Sequence, residues 1–273
     1  MKIFVRVLII FGLLLLMAAI FGIYYVQRTA PQTDGNVELS AMDSDAEVYF
    51  DNFGIPHIYA ETAEDAYRSL GYVHAQDRLF QMELVRRVGK GTLSEVLGAD
   101  MIETDAFFRT LGTHRQAAQD AARFERLPDS LRTKVMAYLE GVNAFAEKGP
   151  LPIEFTLTQI EPETAVFAQC SAALQRPGLK FLEHLPVPML QGSNAWAVAP
   201  SRSASGKALL ANDTHIKYGS PSVWYEAHIN YPGTELYGNF MAGIPFPLIG
   251  HTRRHAWGVT MFEDDDSDFF IQE

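Results

Sequence analysis

Residues 7–26 form an unbroken apolar run without one charged side chain, and nothing else in the chain limits its folding options as severely. At 1.5 Å per residue, about 20 helical residues cross a hydrocarbon core of roughly 30 Å. A segment that is apolar on every side has no polar face to turn toward water, so it fits poorly on the surface of a globular domain. Lys2 and Arg6 precede the run, which leaves the short N-terminus inside and exports the rest by the positive-inside rule. Two readings stay open, an uncleaved anchor and a cleaved signal. The anchor fits better, because Tyr24-Tyr25-Val26-Gln27-Arg28 is bulky and offers no small-residue cleavage site.

Beyond the run, residues 29–46 are rich in Pro, Thr, Asp, Ser and Gly and read as a linker. Residues 47–51 and 57–60 read as short strands around a turn at Asn52-Phe53-Gly54-Ile55-Pro56. Thr62 with Asp65 three residues later resembles a capping box. The helix that follows buries Ala66, Leu70, Val73, Phe80, Leu84 and Val88, and Asp77 sits in the gap of that stripe, where its charge needs a partner. Asp129 or Ser130 is expected to cap a second long helix, with Leu131, Val135, Leu139, Val142 and Phe145 along one face. The first half is therefore mainly helical. Residues 194–199, 207–211, 223–230, 235–242 and 255–261 are short, mostly aromatic or β-branched, and separated by Gly, Pro, Ser or Asn, as strands are. The change of character falls near Gly192.

With 48% hydrophobic and 20% charged residues the chain has a globular composition. Its net charge of -11 and the lack of a basic stripe argue against a nucleic-acid partner. The one cysteine, Cys170, has no internal disulfide partner; as a free thiol it reads as a small buried hydrophobe.

Several long motifs occur in a fixed order. Asp51 to Ala60 reads Asp-Asn-Phe-Gly-Ile-Pro-His-Ile-Tyr-Ala, and residues 71–83 read Gly-Tyr-Val-His-Ala-Gln-Asp-Arg-Leu-Phe-Gln-Met-Glu. Gly-Thr-Leu-Ser-Glu-Val-Leu-Gly follows at 91–98, and Gly192-Ser193-Asn194-Ala195-Trp196 opens the strand-rich half. Ala211-Asn212-Asp213, His215, Gly250-His251, Trp257-Gly258 and the acidic stretch 265–268 continue the series. Together these resemble the penicillin acylase family of N-terminal-nucleophile hydrolases, over residues 48–273. The resemblance implies an α+β, four-layer αββα fold, with an α-chain-like region at 47–192 and the start of a β-chain-like region at 193–273.

It also implies a chemistry. A precursor of this kind cleaves itself before the serine, here at Gly192–Ser193, and glycine before the scissile bond tolerates a strained backbone. Ser193 then carries a free α-amine, whose ordinary pKa of about 8 leaves a sizeable neutral fraction near neutral pH. That amine is the general base for the serine's own hydroxyl, in place of a histidine. Each acyl-transfer step passes through an oxyanion. The backbone N–H of Met261 corresponds to one oxyanion donor, and the second lies beyond Glu273. His215 corresponds to a residue that orients the nucleophile's amine; a structural histidine in a turn is the plainer reading. Asp264, Asp265 and Asp266 read by themselves as a solvated charge run. By resemblance, Asp265, the Ser267 carbonyl and Asp268 correspond to calcium ligands, three of the six to eight oxygens calcium takes. His57, His74 and the Asp77-Arg78 pair read as structural, the charges kept inside by pairing.

The implied substrate is a small N-acyl amide, an N-acylated β-lactam or an N-acyl-homoserine lactone, and the implied product of processing is an α/β heterodimer. The implied location is the inner membrane facing the periplasm, or the periplasm if the leader is removed. Two departures stand out. Leu151 to Phe155 and Ile160-Glu161-Pro162-Glu163 match the end of the α chain, but only residues 164–190 then precede Gln191, and Pro177, Pro186 and Pro188 interrupt them. The β-chain-like part also stops after its first strands. A truncated acylase without catalysis, or a membrane-tethered binding remnant, is the rival expectation.

Overall fold

The computed structural model describes residues 2–162, 190–216 and 218–260. Helix α1 (Lys2–Thr29) takes up the apolar run. Its stretch Ile3–Thr29 is long and apolar enough to cross a membrane, and none of it is buried against the rest of the chain. Strands β1 (Glu47–Phe50) and β2 (Pro56–Tyr59) form a hairpin. Asp51 organises its turn by accepting from the amides of Phe53 (2.8 Å) and Ile55 (3.0 Å), and Gly54 takes a left-handed φ of 77°.

Helix α2 (Ala63–Lys90) starts at Thr62, whose hydroxyl accepts from the Asp65 amide at 3.0 Å, and stops at Gly91 in the left-handed region. Only half of the expected capping box forms. The Asp65 carboxylate is fully buried and accepts instead from the amides of Asp43 (3.0 Å) and Ser44 (3.1 Å) and from Arg68 (2.9 Å). It thereby fastens the end of the linker to the helix. Helices α3 (Ser94–Leu97), α4 (Ile102–Leu111) and α5 (Thr113–Ala122) follow, and then α6 (Asp129–Lys148) and α7 (Ile153–Thr158). Neither Asp129 nor Ser130 caps α6. Pro128 occupies that position, Asp129 is already helical, and its carboxylate pairs with Arg132 at 2.7 Å.

Helices α2 and α6 pack against each other and against a six-stranded sheet of order β1-β2-β5-β6-β7-β8, where β5 is Trp224–Tyr231, β6 Thr234–Met241, β7 Ile249–Thr252 and β8 Ala256–Trp257. Among the described strands, β2 and β5 make the one parallel pair, with His57 opposite His228. The core between helices and sheet holds Ile58, Leu70, Tyr138, Phe145, Ile229 and Phe240, all essentially without solvent contact. The helical first half and stranded second half are the α+β class expected; the described residues supply one helical layer on one sheet. A separate antiparallel ribbon joins β3 (Leu190–Val198) to β4 (Leu209–Ile216). Two strand expectations are corrected. The 207–211 strand runs on to Ile216, and the 255–261 strand is confined to Ala256–Trp257 within the described residues, its partner β7 lying where no strand was expected.

Candidate active site

Strand β3 runs without interruption through Gly192 and Ser193, with a register irregularity between Leu190 and Gly192. The half-buried Ser193 donates its hydroxyl hydrogen to the Gly192 carbonyl oxygen, so Oγ lies against the carbonyl on its own N-terminal side. Across the ribbon Gly192 faces His215, Ser193 faces Thr214 and Asn194 faces Asp213. His215 therefore stands on a strand and not in a turn. Its Nδ1 is 3.4 Å from the place a β-carbon on Gly192 would occupy, which puts the imidazole beside the Gly192–Ser193 bond. Its Nε2 is 3.1 Å from Asp213 Oδ2 and 3.3 Å from the Asn194 side-chain nitrogen. A carboxylate partner favours the proton on Nε2, which leaves the Nδ1 lone pair on the Gly192 side.

Four residues with no role assigned from sequence hold this arrangement together. Asn212 donates to the carbonyls of Asn194 (2.8 Å) and Val259 (3.0 Å) and accepts from the Val259 amide (2.9 Å). It ties the ribbon to the chain that follows β8. Gly258 is needed there, since a β-carbon on it would come within 2.6 Å of the Asn212 side-chain oxygen. Thr260 donates its hydroxyl hydrogen to the Ser193 carbonyl at 2.8 Å, and Thr214 accepts from the Trp224 indole at 3.2 Å, linking ribbon to sheet. Asn212 lies inside a recognised motif, but a motif gives no partner; its bonds to Val259 cross 47 positions of sequence.

The other singled-out residues lie elsewhere. His74 is fully buried, stacked on Tyr225 at 4.3 Å and bonded through Nδ1 to the Tyr138 hydroxyl at 2.8 Å. Burial, with the nearby Arg78 charge, lowers its pKa to about 3, so it is a neutral structural ring. Asp77 finds the partner its place in the stripe requires: the Tyr225 hydroxyl donates to it at 3.0 Å, and burial raises its pKa. Arg78 lies over the Tyr225 ring at 5.6 Å. His57 sits on β2 against His228, on the sheet and not on the ribbon. Met261, Asp265, Ser267, Asp268 and Cys170 lie outside the described residues. Among the described residues no three His, Cys, Asp or Glu are grouped to hold a metal.

A protein-family model described as Penicillin amidase matches residues 45–273. The chain is similar to the penicillin acylase 2 proenzyme of Pseudomonas sp. (strain SE83), 31% identical over 313 residues that cover 91% of this chain and 40% of that protein. It is similar to an acyl-homoserine lactone acylase of Pseudomonas aeruginosa, 30% identical over 308 residues, covering 89% of this chain and 36% of the other. Among solved structures, a thermostable penicillin G acylase from Alcaligenes faecalis is 29% identical, with a TM-score of 0.42, covering 47% of this chain and 69% of that one. The chain spans about 40% of the length of the curated relatives it matches. The 313-residue match to the first relative is longer than the 273-residue chain, so that relative carries residues within the match that this chain lacks.

Proposed function

Because the chain belongs to the penicillin amidase family, we propose that it carries the nucleophile segment of a hydrolase of linear amides, activated by cleavage at Gly192–Ser193. The observation that supports this most directly is the contact of the Ser193 hydroxyl with the Gly192 carbonyl, in a strand unbroken across that bond. In the activation step Oγ attacks the Gly192 carbonyl carbon, the C–N bond breaks, and the amide nitrogen leaves as the α-amine of Ser193. Water hydrolyses the resulting ester, giving a Gly192 carboxylate and a free N-terminal serine. In the catalytic cycle that amine takes the hydroxyl proton as Oγ attacks the substrate amide, the amine of the substrate departs, and water releases the acyl group.

His215 is a positioning residue for the amine, through the Nδ1 lone pair beside Gly192. Backbone N–H of Met261 is the proposed oxyanion donor, a role that comes from the family resemblance. The substrates proposed are N-acylated β-lactams or N-acyl-homoserine lactones, after the names of the relatives. The reading includes a structural calcium ion at Asp265, Ser267 and Asp268, and an exported domain held at the membrane by α1. The test is intact-mass measurement of the full chain beside Ser193→Ala. Wild type is expected to yield pieces ending at Gly192 and beginning at Ser193, and the variant to stay whole. A wild-type chain that also stays whole would sink self-activation and leave an inactive acylase remnant.

A further inference from the structure

We propose that His57 and His228 form a two-imidazole site for a divalent transition-metal ion, which joins β2 to β5 across their parallel pairing. The two Nδ1 atoms face each other at 3.2 Å. Each ring has a carboxylate behind its other nitrogen: Asp51 Oδ2 is 3.7 Å from His57 Nε2, and Glu235 Oε1 is 3.7 Å from His228 Nε2. At that separation the carboxylate acts through its charge, which favours the imidazole proton on Nε2 and leaves the other nitrogen free to ligate. With one ring protonated on Nδ1 this contact is a hydrogen bond; with both protons on Nε2, the two Nδ1 lone pairs are free to converge on one cation held to the side of the line between them. Zn–N bonds of about 2.0–2.1 Å in a tetrahedral shell set two ligand nitrogens about 3.3–3.4 Å apart. The observed 3.2 Å needs almost no rearrangement to reach it.

The surroundings suit an ion reached from one side. His228 is nearly buried, walled by the rings of Tyr59 at 5.7 Å and Tyr237 at 6.1 Å, while His57 keeps 28% of its side chain exposed. Burial and the neighbouring His57 lower the pKa of His228, so a proton fills the gap poorly near neutral pH, and a metal ion that binds neutral imidazole is the better occupant. No third His, Cys, Asp or Glu among the described residues completes the shell, so water takes the open positions and the ion binds less tightly than in a closed structural site.

The test uses the metal-free full chain in detergent, titrated with zinc chloride and followed by calorimetry and thermal unfolding. One zinc per chain is expected, with a midpoint raised by about 5 °C when zinc is a hundredfold above its dissociation constant. His57→Gln and His228→Gln each remove both effects, and His255→Gln, at an exposed histidine outside the pair, keeps them. If the buried His228 variant fails to fold, cobalt(II) absorption in wild type and its loss in His57→Gln decide the question. Zinc binding that survives both substitutions, or no binding by wild type, overturns the site. A midpoint that rises on acidification through His57, with no response to zinc, overturns it in favour of a shared proton.

Discussion

His74 shows what burial does to a titratable side chain of this protein. Its stacked ring has one hydrogen-bonded nitrogen, and Nε2 has no partner among the described residues. The unfolded chain takes up a proton on this ring near pH 6.5, the folded chain only near pH 3. Between those values the unfolded state binds more protons, so stability is fully present above pH 6.5 and is lost as pH falls toward 3. The slope from this one group is at most about 1.4 kcal/mol per pH unit. Urea midpoints of His74→Gln are expected to fall less between pH 7 and pH 4 than those of wild type; parallel curves would remove His74 from the acid response. His215 stands elsewhere, half-exposed beside the Gly192–Ser193 bond. His215→Ala is expected to slow the appearance of cleaved pieces about tenfold, equivalent to about 1.4 kcal/mol of barrier. His215→Gln, which keeps a hydrogen-bonding group there, restores most of the rate. An equal loss of rate in both variants would remove the positioning role of His215.

At the scale of elements, the α2–α6 crossing is set by two glycines that face each other's backbone. A β-carbon on Gly71 would stand 2.0 Å from the Tyr138 carbonyl oxygen, and one on Gly141 would stand 2.0 Å from that of Arg68. Overpacking of about 1–3 kcal/mol or more outweighs the roughly 1 kcal/mol that alanine adds to a helix. Gly71→Ala and Gly141→Ala are each expected to lose about 2 kcal/mol in urea unfolding; unchanged midpoints would mean that the crossing relaxes freely. The apolar stripe of α2 and its Thr62 cap were legible in sequence because both depend on neighbours three and four residues apart. The start of α6 was not, since Pro128 gives no side-chain bond and Asp129 is drawn instead into a pair with Arg132. Strand β7 is only four residues long and carries little alternation, so its pairing with Tyr237 and Gly238 had to be seen in space. Gly192 and Ser193 stood out in the sequence as a motif. The side chains that brace them, Asn212 and Thr260, did not, because their partners are distant along the chain.

Over the whole molecule, residues on both sides of Gly192–Ser193 share one sheet and one core. Strand β2 lies between β1 and β5, Tyr225 of β5 stacks on His74, and its hydroxyl binds Asp77. The two pieces left by cleavage are therefore expected to co-purify and to separate only in denaturant; separation in native buffer would mean that the shared sheet does not hold them. The full chain is expected to fractionate with membranes and to be released by detergent but not by high salt, because the exposed surface of α1 is apolar rather than charged. Release by salt alone would refute anchoring through α1. The pairing of β2 with β5 also sets an order in time. His57 and its counterpart His228 are 171 positions apart, so during synthesis the first hairpin must wait for most of the polypeptide to emerge before its open edge is satisfied. A cut at Gly192–Ser193 before that moment would release two halves with nothing to join them, whereas a cut afterwards divides a chain whose parts already hold each other. For the proposed cleavage the seam would act as a clock: with assembly first, a break that frees the serine could follow without loss of either half.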